Sequence, residues 1–232
     1  MEIIYKPEQK TLNKLAADIL CRKTGKMLKD KEYVLWALPG GRSIGQVLEI
    51  LSSQSELEWS RIHFFMTDER LVPLDDINSN FRLILEKLIF PMMAKRIIGS
   101  ENIHPFVFSP ESKDSGLGIY KESLIRLQDF YDIVLLSSGE DGHIAGLFPE
   151  HSTIRDDSGF YIKTDDAPKP PPRRMSSSRK LLARSKAAIL LFYGPEKRQA
   201  YYRFMERKQP LEKCPARLVQ DLKESFILTD QK

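Results

Sequence analysis

Cysteine is scarce in this 232-residue chain: only Cys21 and Cys214 occur, far apart and without zinc-like or redox spacing, so both are read as reduced core or surface residues. Histidine is scarce too, and the four present form no metal-ligand spacing, so no metal site and no cofactor is expected. Long apolar runs are missing. The longest clean one, residues 187–193, is far shorter than the ~20 residues a membrane helix needs. The first twenty residues carry Glu2, Lys6, Pro7, Glu8 and Asp18 and lack the apolar core of a signal peptide, which makes a reduced cytoplasm the expected location. Neither sign of charge dominates. A net charge of +4 is too mild for a nucleic-acid partner and suits a protein that holds small anions with a few placed cations.

What is present is ordinary globular composition, 41% hydrophobic and 29% charged, which argues against disorder. The length fits one large α/β domain spanning 1–232, with no repeat and no linker. Short apolar runs alternate with amphipathic stretches, the α/β signature. Strands are predicted at 33–38, 62–67, 131–136, 187–193 and 226–228. Helices are predicted after Ser43 as N-cap, with Ile44, Val47, Leu48 and Leu51 on one face; from Asn78 or Ser79 to near Pro91; over 120–130; and from Glu196 onward. The segment 165–186, with four prolines and the serine run 176–178, reads as an active-site loop.

Ligands of parallel α/β sheets sit beyond the carboxyl ends of the strands. Four polar loops follow predicted strands here: 39–43, 68–70, 137–143 and 194–197. Gly40-Gly41 before a helix suits a phosphate, because glycine lets the backbone approach the anion and the helix start supplies free amides; it also suits a plain tight turn. In Asp141-Gly142-His143 a histidine stands two positions from a carboxylate and can act as a general base near neutral pH. His63, His104 and His151 are read as a strand residue, a loop residue before a proline and a surface residue. Asp68-Glu69-Arg70 joins two acids and a guanidinium and is read either as site or as solvated turn; Lys197 is either a phosphate cation or a surface lysine.

Taken together these residues resemble the 6-phosphogluconolactonase family, within the glucosamine-6-phosphate deaminase-like fold. The resemblance rests on Leu38-Pro39-Gly40-Gly41, on Asp68-Glu69-Arg70 with Val72-Pro73 and Ser79-Asn80, and on Gly139-Glu140-Asp141-Gly142-His143 with Leu147-Phe148-Pro149. Lys169-Pro170-Pro171-Pro172 with Arg174, and Gly194-Pro195-Glu196-Lys197, complete it. It implies a three-layer Rossmann-like sheet with helices on both faces and a small phosphorylated sugar lactone as substrate. It implies His143 as general base with Asp141 beside it, and Asp68 and Arg70 facing the sugar ring. Gly40, Gly41, Ser43, Arg174 and Lys197 would form a phosphate cradle. No cofactor, nucleic acid or membrane is implied; the oligomeric state stays open, with a monomer favoured.

The sequence departs from the family pattern at Pro39 and Arg42, where small hydroxyl residues are usual. It departs again at Ser137, Ser138, Ile144 and Gly146. Pro39 removes one amide from the cradle, and Arg42 could compensate with charge. Two rival readings are a glucosamine-6-phosphate deaminase and a non-catalytic sugar-phosphate sensor. Leu147-Phe148-Pro149 and Arg70 with Val72-Pro73 favour the lactonase over the first, and the retained His143 and Asp141 argue against the second. Nucleic-acid binding by 169–186 is disfavoured because its cations lack interleaved aromatics.

Overall fold

The structure, a computed structural model, describes residues 1–54 and 56–232, and of Arg42 the backbone alone. In chain order the elements open with β1 (Glu2–Tyr5), α1 (Gln9–Met27) and β2 (Val34–Leu38). A 3-10 turn, Arg42–Ile44, then leads into α2 (Gly45–Ser52), followed by β3 (Ile62–Met66) and β4 (Asp68–Arg70). Helices α3 (Asn80–Ile84), α4 (Phe90–Ala94) and α5 (Leu117–Ile125) precede β5 (Ile133–Ser137). After α6 (Ser152–Arg155) come β6 (Tyr161–Thr164), β7 (Arg174–Ser177) and α7 (Arg179–Ala183). The chain closes with β8 (Ala187–Phe192), a 3-10 turn at Pro195–Lys197, α8 (Arg198–Met205) and β9 (Glu224–Thr229).

Six strands form the central sheet in the order β1-β9-β8-β5-β2-β3, and every neighbouring pair is parallel. Helices flank it. A parallel sheet covered on both faces needs strands that are apolar throughout rather than alternating. Val34 to Leu38 and Ala187 to Phe192 meet that need: every residue in both runs is buried. Because β3 lies on one side of β2 and β5 on the other, the chain reverses its direction of travel across the sheet between β2 and β5. The crevice beyond their carboxyl ends is where such sheets place ligands.

A second sheet of three antiparallel strands, β4-β7-β6, stands beside that crevice. Here the structure corrects the sequence reading. Residues 68–70 are not a charged loop but β4, paired with β7 in the register Asp68↔Ser176, Glu69↔Met175 and Arg70↔Arg174. Likewise 165–186 is not one open loop: it contains β7 and α7, and Ser176, Ser177 and Ser178 are buried. Polar strands of three or four residues such as β4 and β7 carry no apolar alternation, so periodicity could not reveal them.

Other differences have local causes. The helix starting near Ser79 does not stop at Pro91. A π-helical stretch, Leu85–Ile89, joins α3 to α4, and such a stretch absorbs a proline that has no N–H to give the ladder. The helix predicted at 120–130 is α5, shifted towards the N-terminus, and the strand predicted at 226–228 extends to six residues as β9. Helix α1 has no counterpart in the sequence reading. Its buried stripe includes Asn13, Ala16, Ala17 and Thr24 beside Leu12, Ile19 and Leu20, so the contrast between its faces is shallow.

Candidate active site

A cleft of about 190 Å³ opens at the carboxyl ends of β2, β5 and β8, with β4 and β7 as its side wall. Eight of the expected site residues line it: Gly40, Gly41, Ser43, Asp68, Arg70, His143, Arg174 and Lys197. The ninth, Asp141, stands behind His143. Its Oδ1 lies 2.5 Å from His143 Nδ1 and also accepts from the His143 amide at 3.2 Å. Burial pushes the Asp141 carboxyl up, but the hydrogen bond and charge of His143 outweigh it and hold the group well below the ordinary carboxylate range. An ionised Asp141 fixes the proton on Nδ1, which leaves Nε2 as the basic nitrogen of the ring.

Two glycines create this arrangement. Gly142 has φ +89° and turns the chain tightly, with its amide on Gly139 O at 3.1 Å. Gly139 donates to His143 O at 2.8 Å, and a Cβ added there would lie 2.0 Å from His143 Nδ1, so the imidazole sits directly on its backbone. On its other side the ring meets the buried Phe148, centroid to centroid 4.8 Å. The loop is tied to the small sheet by Gly146 N donating to Ser176 Oγ at 2.9 Å. A Cβ at 146 would lie 2.7 Å from Ser176 Cβ, which explains why glycine stands there.

Two similar turns, which follow the strands on either side of β5, also line the cleft. Gly41 (φ 96°, ψ 165°) ends the loop after β2, and Gly194 (φ 94°, ψ 153°) ends the loop after β8; each is followed by a 3-10 turn that becomes an α-helix. Gly41, not Ser43, therefore occupies the N-cap position, and Ser43 sits within the first turn and lines the cleft. Among the described residues the amides of Gly40 and Gly41 donate to no protein acceptor. The Arg42 side chain, expected to compensate for Pro39, lies outside the described residues. Lys197 Nζ has no carboxylate within 4.0 Å among the described residues. Burial pushes its ammonium down, opposed by Glu196, Glu140 and Asp141.

On the side wall, strand alternation divides Asp68-Glu69-Arg70. Asp68 and Arg70 face the cleft, and Glu69 points away from it, into the start of α3. Glu69 accepts from the amides of Arg70, Asn80 and Phe81, each at 2.7 Å, and from Ser79 Oγ at 3.0 Å. Burial pushes its carboxyl up, and the three amides oppose that rise. Arg70 Nη1 donates to Asn78 O at 2.5 Å, while its buried Nε has no partner among the described residues.

Arg174 is nearly fully buried and largely engaged. Nε donates to Pro171 O at 2.9 Å and Nη2 to Lys169 O and Pro170 O at 3.1 Å each, while Nη1 stands 3.8 Å from Asp68 Oδ2. Burial lowers its pKa and Asp68 opposes that fall. Its guanidinium thus clamps the proline stretch and leaves Nη1 with the cleft.

The sequence reading missed some lining residues. Asn80 bridges to Asp68, donating to its carbonyl at 2.9 Å and its carboxylate at 3.2 Å. It also packs so close to Gly40 that a Cβ there would be 1.7 Å from Asn80 Oδ1. Ser137, Ser138, Gly139, Ala145 and Glu196 also line the cleft. The helix start after Ser79 and the Ser79-Asn80 pair among the family-like blocks were the signals that could have pointed to Asn80. The three remaining histidines stay out of the site. His63 and His104 pair with each other at 2.9 Å, and His151 is not a surface residue but half-buried, accepting from Thr153 N at the start of α6. Among the described residues no group of three or more His, Cys, Asp or Glu is placed to hold a metal ion, and no helix is long and apolar enough to cross a membrane.

A His–Asp pair, glycine-rich helix starts and a lysine thus meet in one cleft at the switch point of a parallel sheet. The chain belongs to the glucosamine-6-phosphate isomerase/6-phosphogluconolactonase family, whose model matches residues 7–228. Its relatives within that family include 6-phosphogluconolactonases. It is 34% identical to the 6-phosphogluconolactonase of Borreliella burgdorferi over 232 residues, covering all of this chain and 97% of that one. It is 37% identical to the Thermotoga maritima 6-phosphogluconolactonase over 126 residues, 54% of each chain. The crystal structure of the T. maritima enzyme superposes with a TM-score of 0.86 at 28% identity, covering 100% of this chain and 99% of that one.

Proposed function

We propose that this chain hydrolyses 6-phospho-D-glucono-1,5-lactone to 6-phosphogluconate, the lactone-opening step of the oxidative pentose phosphate pathway, as a one-domain cytoplasmic enzyme spanning 1–232. The observation that carries the reading is the 2.5 Å His143–Asp141 pair in a cleft also lined by Gly40, Gly41 and Lys197. A charged phosphosugar does not cross a bilayer unaided, which accords with a cytoplasmic site and with two free cysteines.

In this mechanism Nε2 of His143 takes a proton from water as the water oxygen bonds to the lactone carbonyl carbon. The carbonyl oxygen becomes an oxyanion, held by Arg70 or by loop amides. When the intermediate collapses, the bond from carbon to the ring oxygen breaks, and His143 returns its proton to that oxygen. Asp141 keeps the imidazole in the right tautomer and supports its positive charge between the two transfers. Asp68 faces the sugar ring, and Gly40, Gly41, Ser43, Arg174 and Lys197 hold the phosphate.

The test is to offer purified protein fresh 6-phosphogluconolactone and, separately, glucosamine 6-phosphate. Lactone hydrolysis above the spontaneous rate supports the proposal. Ammonia release from the amino sugar without lactone hydrolysis would make the chain a deaminase, and binding without either turnover would make it a sensor.

A further inference from the structure

The turn that carries Lys197 is held by residues that follow β9. Strand β9 pairs with β8 in parallel, in register from Ala187↔Glu224 to Phe192↔Thr229, so the chain leaves β9 directly beside the turn at Gly194. There both polar backbone groups of Gly194 are taken up by two consecutive side chains. Gly194 N donates to both carboxylate oxygens of Asp230, at 3.1 and 2.9 Å. Gly194 O accepts from Gln231 Nε2 at 2.7 Å. The same carbonyl accepts from the backbone N of Lys197 at 3.0 Å, so Gln231 and Lys197 converge on one atom.

The bracket is itself well fixed. Gln231 is 4% exposed and its amide donates to the buried Thr229 Oγ1 at 3.0 Å. Asp230 also accepts from Gln9 Nε2 at 3.1 Å and from Gln231 Nε2. Among the described residues Asp230 has no cation within 4.0 Å, so its carboxylate is spent on amides rather than on an ion pair. The equivalent turn after β2 has no such bracket among the described residues; it is wedged by Asn80 against Gly40. A glycine at φ 94° is free to leave that conformation unless its two polar groups are tied. Asp230 and Gln231 lie just beyond the residues 7–228 that the family model matches.

We infer that Asp230 and Gln231 are positioning residues for substrate phosphate: they touch no substrate, and they fix the Gly194 turn so that Lys197 is aimed into the cleft before the anion arrives. The inference rests on the reading of Lys197 as a phosphate cation. Pre-orienting a remote binding group acts on ground state and transition state alike, so the effect belongs in KM rather than kcat.

The experiment measures kcat and KM on phosphorylated and unphosphorylated gluconolactone, and inhibition by inorganic phosphate, for Gln231→Ala, Asp230→Ala, Asp230→Asn and Lys197→Ala. Loss of one of these hydrogen bonds should raise KM for the phosphorylated lactone about 3- to 10-fold, with kcat and the unphosphorylated substrate nearly unchanged. Inhibition by phosphate should weaken in parallel. Asp230→Asn retains one acceptor for Gly194 N and should recover part of what Asp230→Ala loses; as the near-isosteric change it also keeps the test open if the alanine variant does not fold. Gln231→Ala added to Lys197→Ala should cost nothing more, because Gln231 acts through the lysine turn. If Lys197→Ala is phosphate-specific while the Asp230 and Gln231 variants match the wild type, the bracket is overturned and the cradle stands. Equal losses on both lactones from the bracket variants would show a purely structural role and overturn it as well. If Lys197→Ala itself affects both lactones equally, the cradle reading falls and takes the bracket with it.

Discussion

The central sheet keeps its polar chemistry beyond its strand ends, whereas the small sheet carries it inside its strands. Strands β2 and β8 are apolar from end to end, and what lines the cleft lies on the turns after them: the free amides of Gly40 and Gly41, the helix starts, and the side chains of Ser43 and Lys197. Strand β4 is Asp-Glu-Arg and β7 begins with Arg174, and these charges are buried or half-buried where they stand. A buried charge is costly unless paired or hydrogen-bonded. The small sheet meets that cost differently on its two faces. Asp68 on the cleft side is opposed by Arg174, and Glu69 on the far side is saturated by amides of β4 and α3. The central sheet thus sets its cleft groups on turns beyond the strands, and the small sheet holds its own within the strands by pairing and hydrogen bonding.

The comparison breaks most visibly at the loop after β5. Replacing His143 by Ala should lower kcat by about 10²–10⁴-fold, since it removes the proposed general base. The variant should still fold, because the ring packs at the rim of the cleft and not within the sheet, but its melting temperature should fall, because the Asp141 carboxylate loses the partner that offsets its burial. A folded variant with near-normal kcat would remove His143 from the mechanism.

Next in size is the anion-binding wall. Lys197→Ala should weaken kcat/KM for the phosphorylated lactone by roughly 2–4 kcal/mol, the usual cost of losing a desolvated charged contact, and mainly through KM. With unphosphorylated gluconolactone the penalty should almost vanish. Equal penalties on both substrates would reassign the lysine to the fold or the chemistry.

The same division explains what was legible in the sequence. Runs such as residues 34–38 and 187–192 announce buried parallel strands, and the loops that follow them hold Gly40, Gly41, His143 and Lys197 where strand-end logic puts them. The small sheet was opaque because Asp68, Arg70 and Arg174 look like solvated residues until pairing partners are known, and those partners lie about a hundred residues apart in the chain. Asn80 and Gly139 stand in family-like blocks but received no role for another reason: their importance lies in contact, Asn80 against Gly40 and Gly139 beneath His143, and a contact of that kind has no sequence pattern.

A third experiment probes the far face of the small sheet. Glu69→Gln keeps the shape of the side chain but puts an amide nitrogen where one carboxylate oxygen was. Either Arg70 N and Asn80 N on one side, or Phe81 N and Ser79 Oγ on the other, then lose their acceptor. The expected loss at neutral pH is about 1–3 kcal/mol of folding stability by denaturant titration. A variant as stable as the wild type would mean that Glu69 does not hold β4 to α3.

The smallest effect, and the sharpest contrast between the two regions, lies in the pH dependence of stability. Asp141 and Glu69 are shifted in opposite directions. Burial raises Asp141, but its bond to His143 outweighs that and leaves the folded value depressed. A depressed carboxyl contributes stability that is fully present above its unfolded pKa, about 3.9, and is lost as the pH falls through the folded value. Glu69 is raised, with burial outweighing its amides. Its contribution is fully present below the unfolded value, about 4.3, and is lost as the pH rises through the folded one. Melting curves of the wild type, Asp141→Asn and Glu69→Gln across the acid range should therefore show two trends. The advantage of the wild type over Asp141→Asn should shrink on acidification below about pH 4, because the unfolded chain then binds the proton that the native pair refuses. Its advantage over Glu69→Gln should shrink instead as the pH is raised through the folded pKa of Glu69, because the ionised carboxyl is the form that burial disfavours. Differences that move the same way with pH would mean that one of the two carboxyls is not held as its surroundings in this structure require, and the variant whose difference has the wrong slope identifies which.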